Sequence, residues 1–173
     1  MLSSPRDRIF TAAALGILAG DIISKRLVES RLVLHVPQDI IGEWVRFTLT
    51  YNKGAAMNMT LGASSRVVFS LLAIVMVGII VRMWRGLPPG ATWLSLSLGM
   101  IAAGATGNLI DRLRGTAGVV DFIDVGIGAS RFWTFNVADS GVTVGAVILA
   151  ILTWNEPRHP HPVADPGPPP PAA

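Results

Sequence analysis

Three aspartates set in apolar sequence carry the strongest chemical potential in this chain. Asp139 lies in Phe135-Asn136-Val137-Ala138-Asp139-Ser140-Gly141, at the mouth of a long apolar run. Asp121 and Asp124 lie just upstream in Val119-Val120-Asp121-Phe122-Ile123-Asp124. A carboxylate at the centre of a membrane helix costs roughly 2.5–3.5 kcal/mol, and less near an end, so each must be satisfied where it sits. Two carboxyls held close together do not both ionise; one keeps its proton and the other loses it. The charged one can take a proton from water and the neutral one can donate to a carbonyl oxygen. That is general acid–base hydrolysis of an amide. In the first turn of a helix, Asp139 would have its charged form favoured by the helix dipole, so it is the expected base. Its partner is Asp121 or Asp124, and chemistry alone does not choose. The plain alternative is that Asp139 only caps its helix.

Other chemistries lack their residues. There is no cysteine, hence no thiol nucleophile, disulfide or Cys-based metal site. No serine stands in a Gly-x-Ser-x-Gly setting. His35, His159 and His161 show neither a metal-ligand spacing nor a neighbouring nucleophile. No metal or cofactor is therefore expected.

Three more polar clusters accompany the aspartates. Asp21 and Lys25, in Gly20-Asp21-Ile22-Ile23-Ser24-Lys25, are four residues apart and share a helix face. A structural ion pair that orients the first helix is the favoured reading of them. Tyr51-Asn52-Lys53-Gly54-Ala55-Ala56-Met57 offers a tight turn at Gly54 and small residues beside it. Gly104-Ala105-Thr106-Gly107-Asn108-Leu109-Ile110-Asp111-Arg112 again places two polar groups, Asn108 and Arg112, on one face. Helix stitching or headgroup anchoring is the bland reading of that pair.

The elements that must position these groups are membrane elements. Of 173 residues, 51% are hydrophobic and 14% charged, against about 25% charged in a soluble domain; the mean hydropathy is +0.54. A net charge of +3 without a basic run gives no reason to expect a nucleic-acid partner. After a polar leader over 1–8, apolar runs predict four transmembrane helices, at about 9–27, 66–84, 91–110 and 137–154. Residues 28–65 are rich in β-branched and aromatic residues, notably 32–36 and 44–51, and predict a small extramembrane β-structured region. Residues 111–136, mixing charges, glycines and aromatics, predict a surface-lying segment on the same side. The expected fold is thus an all-α membrane protein with this β appendage, forming one domain over 1–156. Beyond it, 157–173 reads as a disordered Pro-rich tail. Pairs of small residues at Gly16/Gly20, Ala103/Gly107 and Gly141/Gly145 permit close helix packing.

With four spans, every polar cluster falls at one membrane face. Both termini fall at the other, with Arg6, Arg8, Arg82, Arg85 and Arg158; the remaining nine of the fourteen Lys and Arg lie on the polar-cluster side. Taken bare, the positive-inside rule would put the termini outside.

These motifs together resemble the lipoprotein signal peptidase family (signal peptidase II), intramembrane aspartyl peptidases of bacteria. Asp-x-x-Ser-Lys, Asn-x-Gly-Ala-Ala, Gly-Asn-x-x-Asp-Arg, Val-Val-Asp-Phe and Phe-Asn-x-Ala-Asp-Ser occur in order between Asp21 and Asp139. The resemblance implies that Asp121, rather than Asp124, pairs with Asp139 as the catalytic dyad. It implies substrate-binding or site-supporting roles for Asn52, Gly54, Gly104, Asn108, Arg112, Asn136 and Ala138, with Asp21 and Lys25 supporting the site. It implies an enzyme that removes signal peptides from diacylglyceryl prolipoproteins, cleaving before the lipidated cysteine. The membrane would be the bacterial cytoplasmic (inner) one, with membrane lipid around the chain, cytoplasmic termini and an active site near the outer face. That overrides the bare charge count, because Lys25, Lys53 and Arg112 belong to the motifs. A monomer is expected.

The sequence departs from the family pattern at Ser24, where Thr is usual, at Met57, where Phe is common, and in a 113–120 connection about one residue long. None of these removes a catalytic group. The competing function is an ion- or proton-coupled transporter, which should hold carboxylates near the midplane in repeated halves; this sequence shows neither.

Overall fold

A computed structural model describes residues 4–54 and 62–154. The Ala55-Ala56-Met57 part of one motif and the tail 157–173 lie outside the described residues. Among the described residues, four helices and a small antiparallel sheet make up the fold. The first helix, α1, runs Pro5–Arg31. It begins inside the expected polar leader because Ser4 caps it, Pro5 has a φ suited to a first turn and Asp7 meets the positive end of the dipole.

Strands β1 (Gln38–Ile41) and β2 (Val45–Asn52) form a hairpin, followed by a short 3-10 turn at Gly62–Ser64. Helix α2 spans Ser65–Gly86, and α3 spans Thr92–Arg114. Pro88 and Pro89 separate them because neither can continue a helix. Strands β3 (Val119–Ile127) and β4 (Ser130–Arg131) precede the last helix, α4, at Val137–Trp154.

The sheet order is β1-β2-β3-β4, each neighbour antiparallel. The expected β region is therefore present, but its bounds differ. Residues 32–36 are not a strand: the backbone turns at His35, with φ of 61°, whose N–H donates to the Leu49 carbonyl at 3.0 Å. The hairpin turn sits instead at Gly42, with φ of 51°. The expected surface-lying segment takes a defined form. Helix α3 runs on to Arg114, because Asp111 and Arg112 find partners there, and 119–131 supplies half of the sheet. The chain is mostly helical rather than all-α.

Among the described residues, three helices, α2, α3 and α4, are long and apolar enough to cross a membrane. Helix α2 presents Leu71, Leu72, Val75, Met76 and Ile79 outward, each at least half exposed, as a lipid-facing helix does. Helix α3 is the central one: Ser95, Ser97, Gly99, Ala102, Ala103, Gly104 and Gly107 are buried on it. These small side chains bring α1 and α4 close on either side. One core joins α1 to the sheet through Val28, Leu49, Val120 and Phe122, with Phe47 edge-on to Phe122 at 5.4 Å. A second joins α2 to α3 through Ile80, Leu98 and Ala102, beside a Phe10–Trp84 stack at 4.4 Å.

Candidate active site

The start of α4 is built by Asn136. Its side-chain oxygen accepts the Asp139 N–H at 2.8 Å, and Asp139 returns a carboxylate oxygen to the Asn136 N–H at 3.2 Å. This reciprocal capping satisfies two N–H groups that a helix start would otherwise leave open. Asn136 is thus the cap, and Asp139 is its partner in the first turn. The second oxygen of Asp139, Oδ1, accepts the Asn108 amide N–H at 2.7 Å from α3.

Asp121 arrives from the other side on β3, opposite Thr50 of β2. The Asn136 amide nitrogen donates to its Oδ1 at 2.7 Å, and also to the Val120 carbonyl at 3.2 Å and to Asn108 Oδ1 at 3.1 Å. One asparagine therefore caps the helix that carries Asp139 while holding Asp121. Asn52, at the end of β2, also hydrogen-bonds the Asp121 carboxyl. Gly118 lets this end of the sheet close: its φ is +116°, and a Cβ there would stand 2.5 Å from the Asn52 carbonyl.

Asp121 is only 3% exposed. Burial, with the neighbouring Asp139 carboxylate second, pushes its carboxyl up to about 7; Asn52, Asn136 and Lys25 oppose this. Both carboxyls line one cavity of about 630 Å³. Its polar end is formed with Asn52, Asn108 and Arg112, and its apolar end by the Phe132–Phe135 strap and the Val142–Val144 turn of α4.

Asp124 points elsewhere. It accepts from Arg131 Nε at 2.6 Å and from Thr48 at 3.0 Å, while Arg131 Nη2 donates to the Asp124 carbonyl at 3.0 Å. It does not line the cavity.

The remaining predicted residues converge beneath the pair. Lys25, 1% exposed, places its ammonium 2.8 Å from Asp21, 2.8 Å from Asp111 and 3.1 Å from Asn108 Oδ1. Two carboxylates at ion-pair distance and one hydrogen-bonded amide oxygen surround the buried charge. Asp21 also accepts the Ala138 N–H at 2.9 Å, which fixes α1 to the first turn of α4. Gly104 acts by absence of a side chain. A Cβ there would strike the Ala138 carbonyl and Val142, so α3 can lie against α4 with Asn108, one turn on, at Asp139. Arg112 donates to the Gly54 carbonyl at 3.0 Å and to the Asn108 carbonyl at 3.1 Å, over the Phe69 ring. It lies within electrostatic reach of both Asp139 and Asp121.

Asp111 was missed as a site residue. It is 7% exposed, pairs with Lys25 and accepts the Val120 N–H at 3.3 Å, next to Asp121. The signal was present: Asp111 is three residues beyond Asn108, on the same face, and a buried lysine needs more than one acceptor. Among the described residues, no group of His, Cys, Asp and Glu has the arrangement of a metal site.

Similarity to known proteins coincides with this constellation. The family model described as signal peptidase (SPase) II matches residues 13–155. The lipoprotein signal peptidase of Mycobacterium leprae (strain Br4923) is 37% identical over 162 residues, covering 88% of this chain and 75% of that protein. The lipoprotein signal peptidase of Streptomyces coelicolor (strain ATCC BAA-471 / A3(2) / M145) is 35% identical over 154 residues, covering 86% and 72%. A solved structure described as "Bacterial membrane enzyme structure by the in meso method at 2.3 A resolution" superposes with a TM-score of 0.76 at 25% identity, over 88% of this chain and 93% of that one.

Proposed function

The chain belongs to the signal peptidase II family, and on that premise we propose that it is an aspartic endopeptidase acting on diacylglyceryl prolipoproteins. Family membership makes it a bacterial membrane peptidase that removes signal peptides. The aspartic mechanism rests on one observation: two carboxyls share a cavity, and one of them, Asp121, is held up to about 7. Asp139, with two N–H donors on its carboxylate, is the base. It takes a proton from water as the water oxygen attacks the scissile carbonyl carbon. Asp121 gives its proton to the carbonyl oxygen. The carbon–nitrogen bond then breaks, the leaving amine takes the proton from Asp139, and Asp121 recovers its own from the collapsing intermediate. Arg112 offsets the single negative charge that the dyad keeps throughout.

Asn108 and Asn136 orient the carboxyls, Asn52 and Gly54 flank the bound peptide, and Gly104 and Ala138 set the helix spacing. Asp21, Lys25 and Asp111 support the floor. The apolar end of the cavity suits the lipid attached to the substrate cysteine.

The fourth span is α1. Its 27 residues reach roughly 40 Å at 1.5 Å per residue, and its intramembrane charges, Asp21 and Lys25, are turned to protein partners rather than lipid. Residues 1–156 then form one domain in the cytoplasmic membrane, termini inside and dyad near the outer face.

The test is cleavage of a purified diacylglyceryl prolipoprotein in detergent, read by gel shift, with each variant checked for folding. Wild type and Asp124→Asn should cleave; Asp121→Asn and Asp139→Asn should not. Cleavage by both dyad variants would remove the aspartic mechanism. A folded, inert wild type would remove the substrate assignment.

A further inference from the structure

A second cavity, of about 590 Å³, lies on the far side of Asn52 and Arg112 from the dyad, between α2 and the end of α3. Its charge is opposite in character. Lys53, Arg66 and Arg112 line it, with no Asp or Glu among its described lining residues. Arg112 is committed to the Gly54 and Asn108 carbonyls. Lys53 and Arg66 are exposed and take part in no ion pair among the described residues.

Arg66 is not a loose surface arginine. Its Nε–H donates to the Arg112 carbonyl at 2.6 Å, which anchors the base of the guanidinium and leaves its two terminal nitrogens for a further acceptor. The wall running from it along α2 is apolar: Val67, Leu71 and Ile74 line the same cavity, each more than half exposed. A cationic rim above an apolar, outward-facing wall matches a molecule with an anionic head and a hydrocarbon tail. The same feature accounts for a charge that the dyad does not need. Arg66 adds to the surplus of positive residues on the dyad side, where the positive-inside rule does not want them.

We propose that this groove holds one anionic phospholipid, with its phosphate between Arg66 and Lys53 and an acyl chain along Val67, Leu71 and Ile74. The lipid sits beside the catalytic cavity and is neither substrate nor product. The assignment stands apart from the peptidase reading, because it concerns binding alone.

The test is lipid retention by the full chain. The protein is reconstituted into equal mixtures of phosphatidylglycerol and phosphatidylcholine, released into mild detergent and weighed by native mass spectrometry. One phosphatidylglycerol per chain should be retained, at about a tenfold preference, or about 1.4 kcal/mol, because phosphatidylcholine offers the same phosphate but adds a choline cation that Arg66 and Lys53 repel. Lys53→Gln with Arg66→Gln should abolish the preference. Arg82→Gln with Arg85→Gln, at the other end of α2, should leave it intact. Equal retention of the two lipids by wild type would overturn the proposal and make Arg66 an ordinary interfacial anchor. So would a preference that survives Lys53→Gln with Arg66→Gln, or one that vanishes with Arg82→Gln and Arg85→Gln. A second reconstitution that adds neutral diacylglycerol in equal share completes the test: stronger retention of it than of phosphatidylglycerol would overturn the proposal too, by giving the groove to the lipid of the substrate. The wild-type comparison decides the matter even where a variant fails to fold.

Discussion

Replacing Asp121 by Asn should make the protein more stable in alkaline solution while abolishing cleavage. The Asp121 carboxyl is almost fully buried and is raised from an ordinary 3.8 to about 7. At 1.36 kcal/mol per unit, a shift of about three units is on the order of 4 kcal/mol. Because the folded value is the higher one, the folded protein keeps this proton over a range where the unfolded chain has lost it. The group's contribution is fully present below about pH 4 and is lost as the pH rises through about 7. Asn has the same shape, can still accept from the Asn136 amide, and does not titrate. Between pH 5 and pH 8 the variant should therefore gain on wild type by roughly 2–3 kcal/mol. For a chain of this length that is on the order of 5–10 °C in apparent Tm. Thermal unfolding in detergent, followed by tryptophan fluorescence, reads this directly. Asp139→Asn provides the control. It removes the second cause of the raised value, so the pH step should weaken and move to lower pH. If wild type and Asp121→Asn lose stability in parallel from pH 5 to pH 8, the proton is not on Asp121 and the division of labour within the dyad is wrong.

The same titration should limit the rate: single-turnover cleavage should fall as the pH rises through about 7, where Asp121 loses the proton it must donate. Gly104→Ala would drive a methyl group against the Ala138 carbonyl and Val142; a loss of about 1–3 kcal/mol is expected, with kcat reduced because Asn108 shifts with α3, and a Tm scan beside the cleavage assay tests both. Lys25→Met should cost about 3–5 kcal/mol by stranding Asp21 and Asp111, and adding Asp21→Asn and Asp111→Asn should restore part of the lost Tm. Arg131→Gln loosens Asp124 and the strand leading into the Phe132–Phe135 strap, so KM should rise with kcat little changed, as measured by steady-state cleavage.

How much of this was legible depended on the kind of information each residue carries. Helix α4 and its opening motif were plain, because an uncharged run bounded by a capping sequence is a local signal. Asp21 and Lys25 could be paired from spacing alone, since four residues fix a shared helix face. The third acceptor on Lys25 could not, because Asp111 meets it across two helices. The choice between Asp121 and Asp124 was equally hidden. They lie three apart on one strand and so point to opposite faces, but which face meets α4 is set by pairing with β2, a contact between distant parts of the chain. Strand β1 was misplaced for a related reason. Its residues alternate weakly, and its position is fixed by the turn at Gly42 and by Arg46 reaching Asp39 at 2.7 Å. Helix α1 reads as partly polar when taken alone; only its buried partners explain why the charges are tolerated.

The double duty of Asn136 makes assembly its own safety catch. Its side chain is what begins α4, and the same side chain is what secures Asp121. On the proposed mechanism, the chain acquires a working dyad only when α4 has started correctly and docked on both α3 and the sheet. A partly inserted chain carries Asp121 alone, and one aspartate does not share a proton. On that mechanism, activation and the completion of folding are one event.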